Sequence, residues 1–196
     1  MVEVNILTGG FLMAKIGGSI EIGRPLDAFP QWTEMLERHR KNSLFKRGST
    51  LVALGGMTWD KFASKMKGRT DIEKIKAVNA LWNARPWKSD VRNWGRSDFW
   101  ATPLEFCMKG GDCEDAAIAK MLSLKELGVN LPMRVLVGEG KDGSHALVAI
   151  ELEGRNVFLD NWTDRILEED AVSLVPKISM NEEKVWAHLA GGTKKA

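Results

Sequence analysis

The sequence predicts an α+β fold, with helices first and an antiparallel sheet after them. Three observations carry that expectation. Apolar residues recur at helical spacing as far as Gly128. Beyond that glycine the period changes to two. A turn signal at Glu153-Gly154-Arg155 then joins two alternating runs as a hairpin.

Taken in order, residues 1–28 are Gly-rich and read as an irregular N-terminal segment, followed by one domain over 29–196. "FPQWTEMLERHR" places Trp32, Met35 and Leu36 on one helical face. In "MTWDKFASKMKG", Trp59, Phe62 and Met66 share a stripe, Thr58 caps and Gly68 stops the helix. "DIEKIKAVNALWNAR" begins at a capping Asp71 and buries Ile72, Ile75, Val78 and Trp82. The Trp-rich "PWKSDVRNWGRSDFW" reads as a loop whose Trp87, Trp94 and Trp100 belong to the core. "TPLEFCMKGG" is a short helix, with Thr102 as cap, Pro103 at the first position and Glu105 completing a capping box. The next helix starts at Cys113, with Asp112 as its cap and Gly128 just past its end. "PMRVLVGEG", "SHALVAIEL" and "RNVFLDNW" alternate as strands, and "NEEKVWAHLAGG" reads as a terminal helix capped by Asn181.

The 196 residues are 44% hydrophobic and 28% charged, ordinary globular material for one domain. A net charge of +2 without a basic stripe argues against a nucleic-acid partner. No apolar stretch is long enough to span a membrane. The N-terminal run makes a poor export signal: its first charge is Glu3, Gly9 and Gly10 interrupt it, and no small-residue cleavage site follows. Either export is not encoded here, or the chain does not begin as the native precursor does. Two cysteines, Cys107 and Cys113, are too few for a disulfide framework and lack metal-ligand spacing.

"KGGDCEDAAIAKMLSLKELG" puts Cys113 at a helix N-terminus, where unpaired N–H groups carry about half a positive charge. That end stabilises a thiolate, and the same N–H groups can hold an oxyanion. Cys107, beside Phe106, fits an inert packing role. A nucleophilic thiol needs a histidine and a group to orient it. His39 lies on a basic helix surface and reads as solvated, and His188 reads as packing in the last helix. His145 opens a strand and can face another element. With a two-residue turn at Glu153-Gly154, Asp160 shares a face with His145 as its diagonal neighbour. A turn at Gly154-Arg155 instead favours Asp164, and spacing alone does not decide between the two.

These runs, with "FLDNW" after "SHALVAIEL", resemble the bacterial transglutaminase-like cysteine proteases, in particular the LapG-type periplasmic proteases that release biofilm adhesins. The resemblance runs from about Phe29 to Trp186. It implies a papain-like, transglutaminase-like core and a triad of Cys113 as nucleophile, His145 as base and acid, and Asp160 as the residue orienting His145. It also implies Ca²⁺ held by Asp112, Glu114 and Asp115, a surface adhesin as protein substrate, and a membrane receptor for cyclic-di-GMP that sequesters the protease.

A cation would explain why acids crowd the thiol. A carboxylate about 4 Å from a thiolate repels it by roughly 4 kcal/mol at an effective dielectric near 20. Ca²⁺ takes oxygen ligands and would reverse that field. Asp112 and Asp115 share a helix face at i, i+3, but Glu114 does not, so further ligands must come from elsewhere. Two other readings compete. Acyl transfer to an amine would use the same triad, and a non-catalytic Ca²⁺-stabilised binding module would leave Cys113 inert and use the Trp-rich loop for contact.

Overall fold

Local capping accounts for much of the first half of the structure, a computed structural model that describes residues 15–46 and 57–190. A short strand, β1 (Ile20–Arg24), precedes the helices. Helix α1 (Pro30–Lys41) starts on a proline and ends in the basic run Arg38, His39, Arg40 and Lys41, which suits its negative end. In α2 (Trp59–Lys65) the Thr58 side chain accepts from Lys61 N–H. Helix α3 (Asp71–Asn83) is capped by Thr70 rather than by Asp71. Glu73 lies three residues after Thr70, so the two close a reciprocal capping box and Asp71 falls inside the first turn. The expected Trp-rich loop contains a one-turn helix, α4 (Asp90–Trp94), ended by Gly95 in the left-handed region. Helix α5 (Pro103–Lys109) has the Thr102–Glu105 capping box that its sequence predicts.

The last helix, α6 (Cys113–Glu126), is buried continuously from Asp115 to Leu124. A helix buried on every side is a core element. It packs between α3 and the sheet, and the Trp82 indole N–H donates to Ser123 Oγ at 2.9 Å across the α3–α6 seam.

The sheet follows: β2 (Met133–Gly140), β3 (Gly143–Leu152), β4 (Arg155–Leu159), β5 (Ile166–Glu168), β6 (Val175–Met180) and β7 (Val185–Leu189). Its order is β1-β7-β6-β2-β3-β4-β5, and every pairing is antiparallel. The β3–β4 hairpin turns on two residues, Glu153 and Gly154, both at positive φ (52° and 76°), so Leu152 faces Arg155. Turns of this kind match the twist of the strands they join.

Two expectations that bear on the sheet are also corrected. Residues 185–189 form β7 between β1 and β6, not a terminal helix. Asn181 Oδ1 accepts from Glu183 and Lys184 N–H, closing a turn that leads into the strand. A five-residue apolar run suits either period, and pairing with β1 decides it. Residues 20–24, within the segment expected to be irregular, supply that partner. The earlier part of the segment, where an export signal was sought, lies outside the described residues. Strands β5 and β6 lacked a clear alternating signal. No helix among the described residues is long and apolar enough to cross a membrane.

Candidate active site

Two glycines set Cys113 in place. Gly110 sits at φ 76°, and a Cβ there would lie 2.3 Å from the Pro86 carbonyl oxygen. At Gly111 a Cβ would collide with the Asp115 carboxylate and Phe106. The chain can therefore press against residues 86–88, where Lys88 N–H donates to Gly111 O at 2.9 Å and Gly111 N–H to Pro86 O at 3.3 Å. Asp115 Oδ2 accepts from Asp112 N–H at 3.4 Å, closing the first turn of α6. Cys113 is half-buried there as a free thiol.

The surroundings of the sulfur oppose its ionisation. Cys113 Sγ donates to Glu114 Oε2 at 3.2 Å, while Ala146 N–H donates to the sulfur. Burial first, then the Glu114 carboxylate, pushes the thiol well above its ordinary value, and the Ala146 N–H only partly offsets this. Cys107 is 1% exposed and also raised by burial, as its packing role requires.

The sheet supplies a second group. His145 lies in β3, and its Nε2 is 3.0 Å from Asp160 Oδ1, just beyond β4. Trp162 N–H donates to the same oxygen at 3.1 Å. Burial alone would raise the Asp160 carboxyl, but the His145 ring, the Trp162 N–H and the Lys120 ammonium together hold it below its ordinary value. An ionised Asp160 can only accept, so the neutral His145 ring carries its proton on Nε2 and keeps the Nδ1 lone pair. Asp164 is not the neighbour of His145; its Oδ1 accepts from Asn83 Nδ2 at 2.9 Å. The other two histidines sit elsewhere. His188, buried in β7, bonds Ser19 and Ser179 through its two ring nitrogens. His39 is half-buried against the Phe45 ring rather than solvated.

Cys113, His145 and Asp160 line one cleft of about 960 Å³. Trp87 (63% exposed) and Trp162 (78% exposed) line it too. Trp87 was expected in the core. Its backbone instead bridges to Gly111, which leaves the indole at the cleft, whereas Trp100 is buried as expected.

The acids form two overlapping groups that share Asp90. Asp112 and Asp115 group with Asp90, their ligand oxygens all within 4.8 Å of one another, and Glu114 groups instead with Asp90 and Asp98. Asp90 and Asp98 were missed by sequence reasoning, since nothing local in the Trp-rich loop marks them for α6. Asp90 Oδ2 accepts from Phe99 N–H, and Asp98 Oδ2 from Gln31 Nε2 at 3.1 Å. Burial first, then Glu114, pushes Asp112 up to about 8. Burial and neighbouring acids also raise Glu114, Asp115 and Asp90. Asp90 Oδ1 and Asp112 Oδ1 are buried without a protein partner. An all-oxygen donor set, with two unpartnered buried oxygens, fits a hard divalent cation.

Residues 58–194 match the family described as bacterial transglutaminase-like cysteine proteinases. The chain belongs to this family. It is therefore a cysteine protease with a protein substrate. Among solved structures the fold is similar to Legionella pneumophila LapG (calcium-bound), with 25% identity, 81% of this chain and 92% of that chain covered, and a TM-score of 0.61. The EGTA-treated form of Legionella pneumophila LapG gives 23% identity over 79% of this chain and 84% of its own, with a TM-score of 0.58. A sequence search of curated proteins finds no significant match.

Proposed function

We propose that this protease is a Ca²⁺-dependent cysteine endopeptidase with a Cys113–His145–Asp160 triad. The observation that carries the reading is the pairing, in one cleft, of a thiol at a helix N-terminus with a histidine whose Nε2 is held by Asp160 at 3.0 Å. His145 Nδ1 takes the thiol proton, and the sulfur attacks the peptide carbonyl. First-turn N–H groups of α6 hold the oxyanion. His145 then protonates the leaving amine and the acyl group stays on sulfur. Water, giving a proton to His145, cleaves that thioester and frees Cys113.

Asp112, Asp115 and Asp90 would hold the Ca²⁺, with Glu114 and Asp98 beside them. When bound, the ion supplies positive charge that offsets the acids around the thiol. The calcium-bound and EGTA-treated forms of the Legionella relative support this choice of metal. By family resemblance the substrate is a large surface adhesin cut near its N-terminus at a small-residue site, in the periplasm. A membrane receptor for cyclic-di-GMP would sequester the protease and so control biofilm attachment.

The test is cleavage of an N-terminal adhesin fragment by wild type and by Cys113→Ala, with circular dichroism confirming the fold. The reading expects no product from the variant. Continued cutting would overturn it, and labelled-amine incorporation without cleavage would mark an acyltransferase instead.

A further inference from the structure

Asp160 does not sit on a regular strand. It follows the last residue of β4 and opens the connection to β5, so something must fix its carboxylate against His145. Two asparagines one helical turn apart on α3 face that connection. Asn83 Nδ2 donates to Asp160 O at 3.1 Å, to Thr163 O at 2.8 Å and to Asp164 Oδ1 at 2.9 Å. Asn79, fully buried, reaches Thr163 O at 3.1 Å and Arg165 O at 3.5 Å through Nδ2. One amide thus gathers three acceptors spread over residues 160–164, and the second repeats the grip a turn earlier. Asn83 is the last residue of α3, whose neighbour Trp82 is locked to α6 through Ser123, so the grip refers the connection to the helix that carries Cys113. Lys120, 1% exposed on α6, is close enough for its charge to be coupled to Asp160 and Asp164. Burial pulls its ammonium down to about 7, and the two carboxylates act against that fall.

We infer that Asn83, backed by Asn79, is a positioning residue that sets the Asp160 carboxylate on His145 Nε2 by holding the backbone of residues 160–164. The inference rests on the triad reading above. Asn83 touches no reacting atom. Its effect passes through the orientation and tautomer of the His145 ring. Loss of the amide frees the Asp160 carbonyl and the Asp164 carboxylate together, and the ring loses its fixed acceptor.

The experiment compares Asn83→Ala, Asn83→Asp and Asp160→Asn in the Ca²⁺-loaded protein. The readouts are kcat and KM for adhesin-fragment cleavage, and the ring ¹⁵N shifts of His145. Both Asn83 variants should lower kcat at least tenfold with KM within about twofold. Asn83→Asp should be the worse, because a carboxylate there faces two carbonyls and Asp164. The ¹⁵N shifts should move from a single Nε2–H tautomer towards a mixture. If Asn83→Ala does not fold, Asp164→Ala carries the same test from an exposed position, with a smaller kcat loss and the same tautomer change expected. Unchanged kcat and an intact tautomer in folded Asn83 or Asp164 variants, with activity lost in Asp160→Asn, would overturn this inference alone. Full activity in Asp160→Asn would overturn the triad reading beneath it.

Discussion

The two walls of the cleft are finished differently. On the sheet wall, Asp160 has a histidine, a backbone N–H and a nearby lysine, and its carboxyl lies below its ordinary value. On the helix wall, Asp112, Glu114 and Asp115 meet mainly one another and Asp90, and their carboxyls are all raised. Two of the oxygens there have no protein partner. Asp160 and Asp112, both half-buried aspartates, shift in opposite directions: burial acts on each, but Asp160 faces His145 and Lys120 while Asp112 faces further carboxylates. The sheet wall is complete as protein. The helix wall has the all-oxygen donor set that the proposed Ca²⁺ would need, and the thiol sits in the field of its acids.

The largest effect should come from the helix wall. Asp115→Asn, or a chelator on the wild type, should abolish cleavage; excess Ca²⁺ should restore the chelated wild type but not the variant, as checked by a metal titration of both. On the sheet wall, Asp160→Asn should cost roughly a hundredfold in kcat, the scale of a mis-set general base, and Ca²⁺ should not recover it. Steady-state kinetics with and without added metal would separate the two walls. Trp162→Ala, which keeps the backbone N–H to Asp160 but removes an exposed indole from the cleft, should raise KM about threefold to tenfold and spare kcat. A rise in KM for neither Trp162→Ala nor Trp87→Ala would mean that the substrate runs elsewhere.

The smallest effect concerns stability. The folded value of Lys120, about 7, lies below its ordinary 10.5. Between those values the unfolded chain binds more protons, so this group makes stability rise with pH and takes that gain away as pH falls towards 7. Lys120→Met should therefore flatten the rise in urea midpoint between pH 7 and pH 9 relative to wild type, and should not be less stable at pH 7. A steeper rise in the variant would contradict the burial of a depressed ammonium.

What the sequence made legible was local. The Thr102–Glu105 capping box, the glycine pair before Cys113 and the hairpin signal at Glu153-Gly154-Arg155 each act within a few residues, while the register of that hairpin, on which the choice between Asp160 and Asp164 turns, comes only with the folded sheet. What stayed hidden was brought in from a distance. Asp90 and Asp98 reach the α6 turn from a Trp-rich segment, held by Phe99 N–H and Gln31. Asn79 and Asn83 read as ordinary polar positions on α3 until β4 ends beside them. β7 carries an apolar run too short to declare its period, and its partner lies near the other end of the chain.

The alkylation rate of Cys113 by iodoacetamide, followed in EGTA and in Ca²⁺, tests the contrast between the walls most directly. The account predicts slow labelling in EGTA, at least tenfold faster labelling in Ca²⁺, and loss of that gain in His145→Ala. Equal rates with and without the metal, in protein shown by calorimetry to bind it, would contradict a thiol governed by the acids of its own helix.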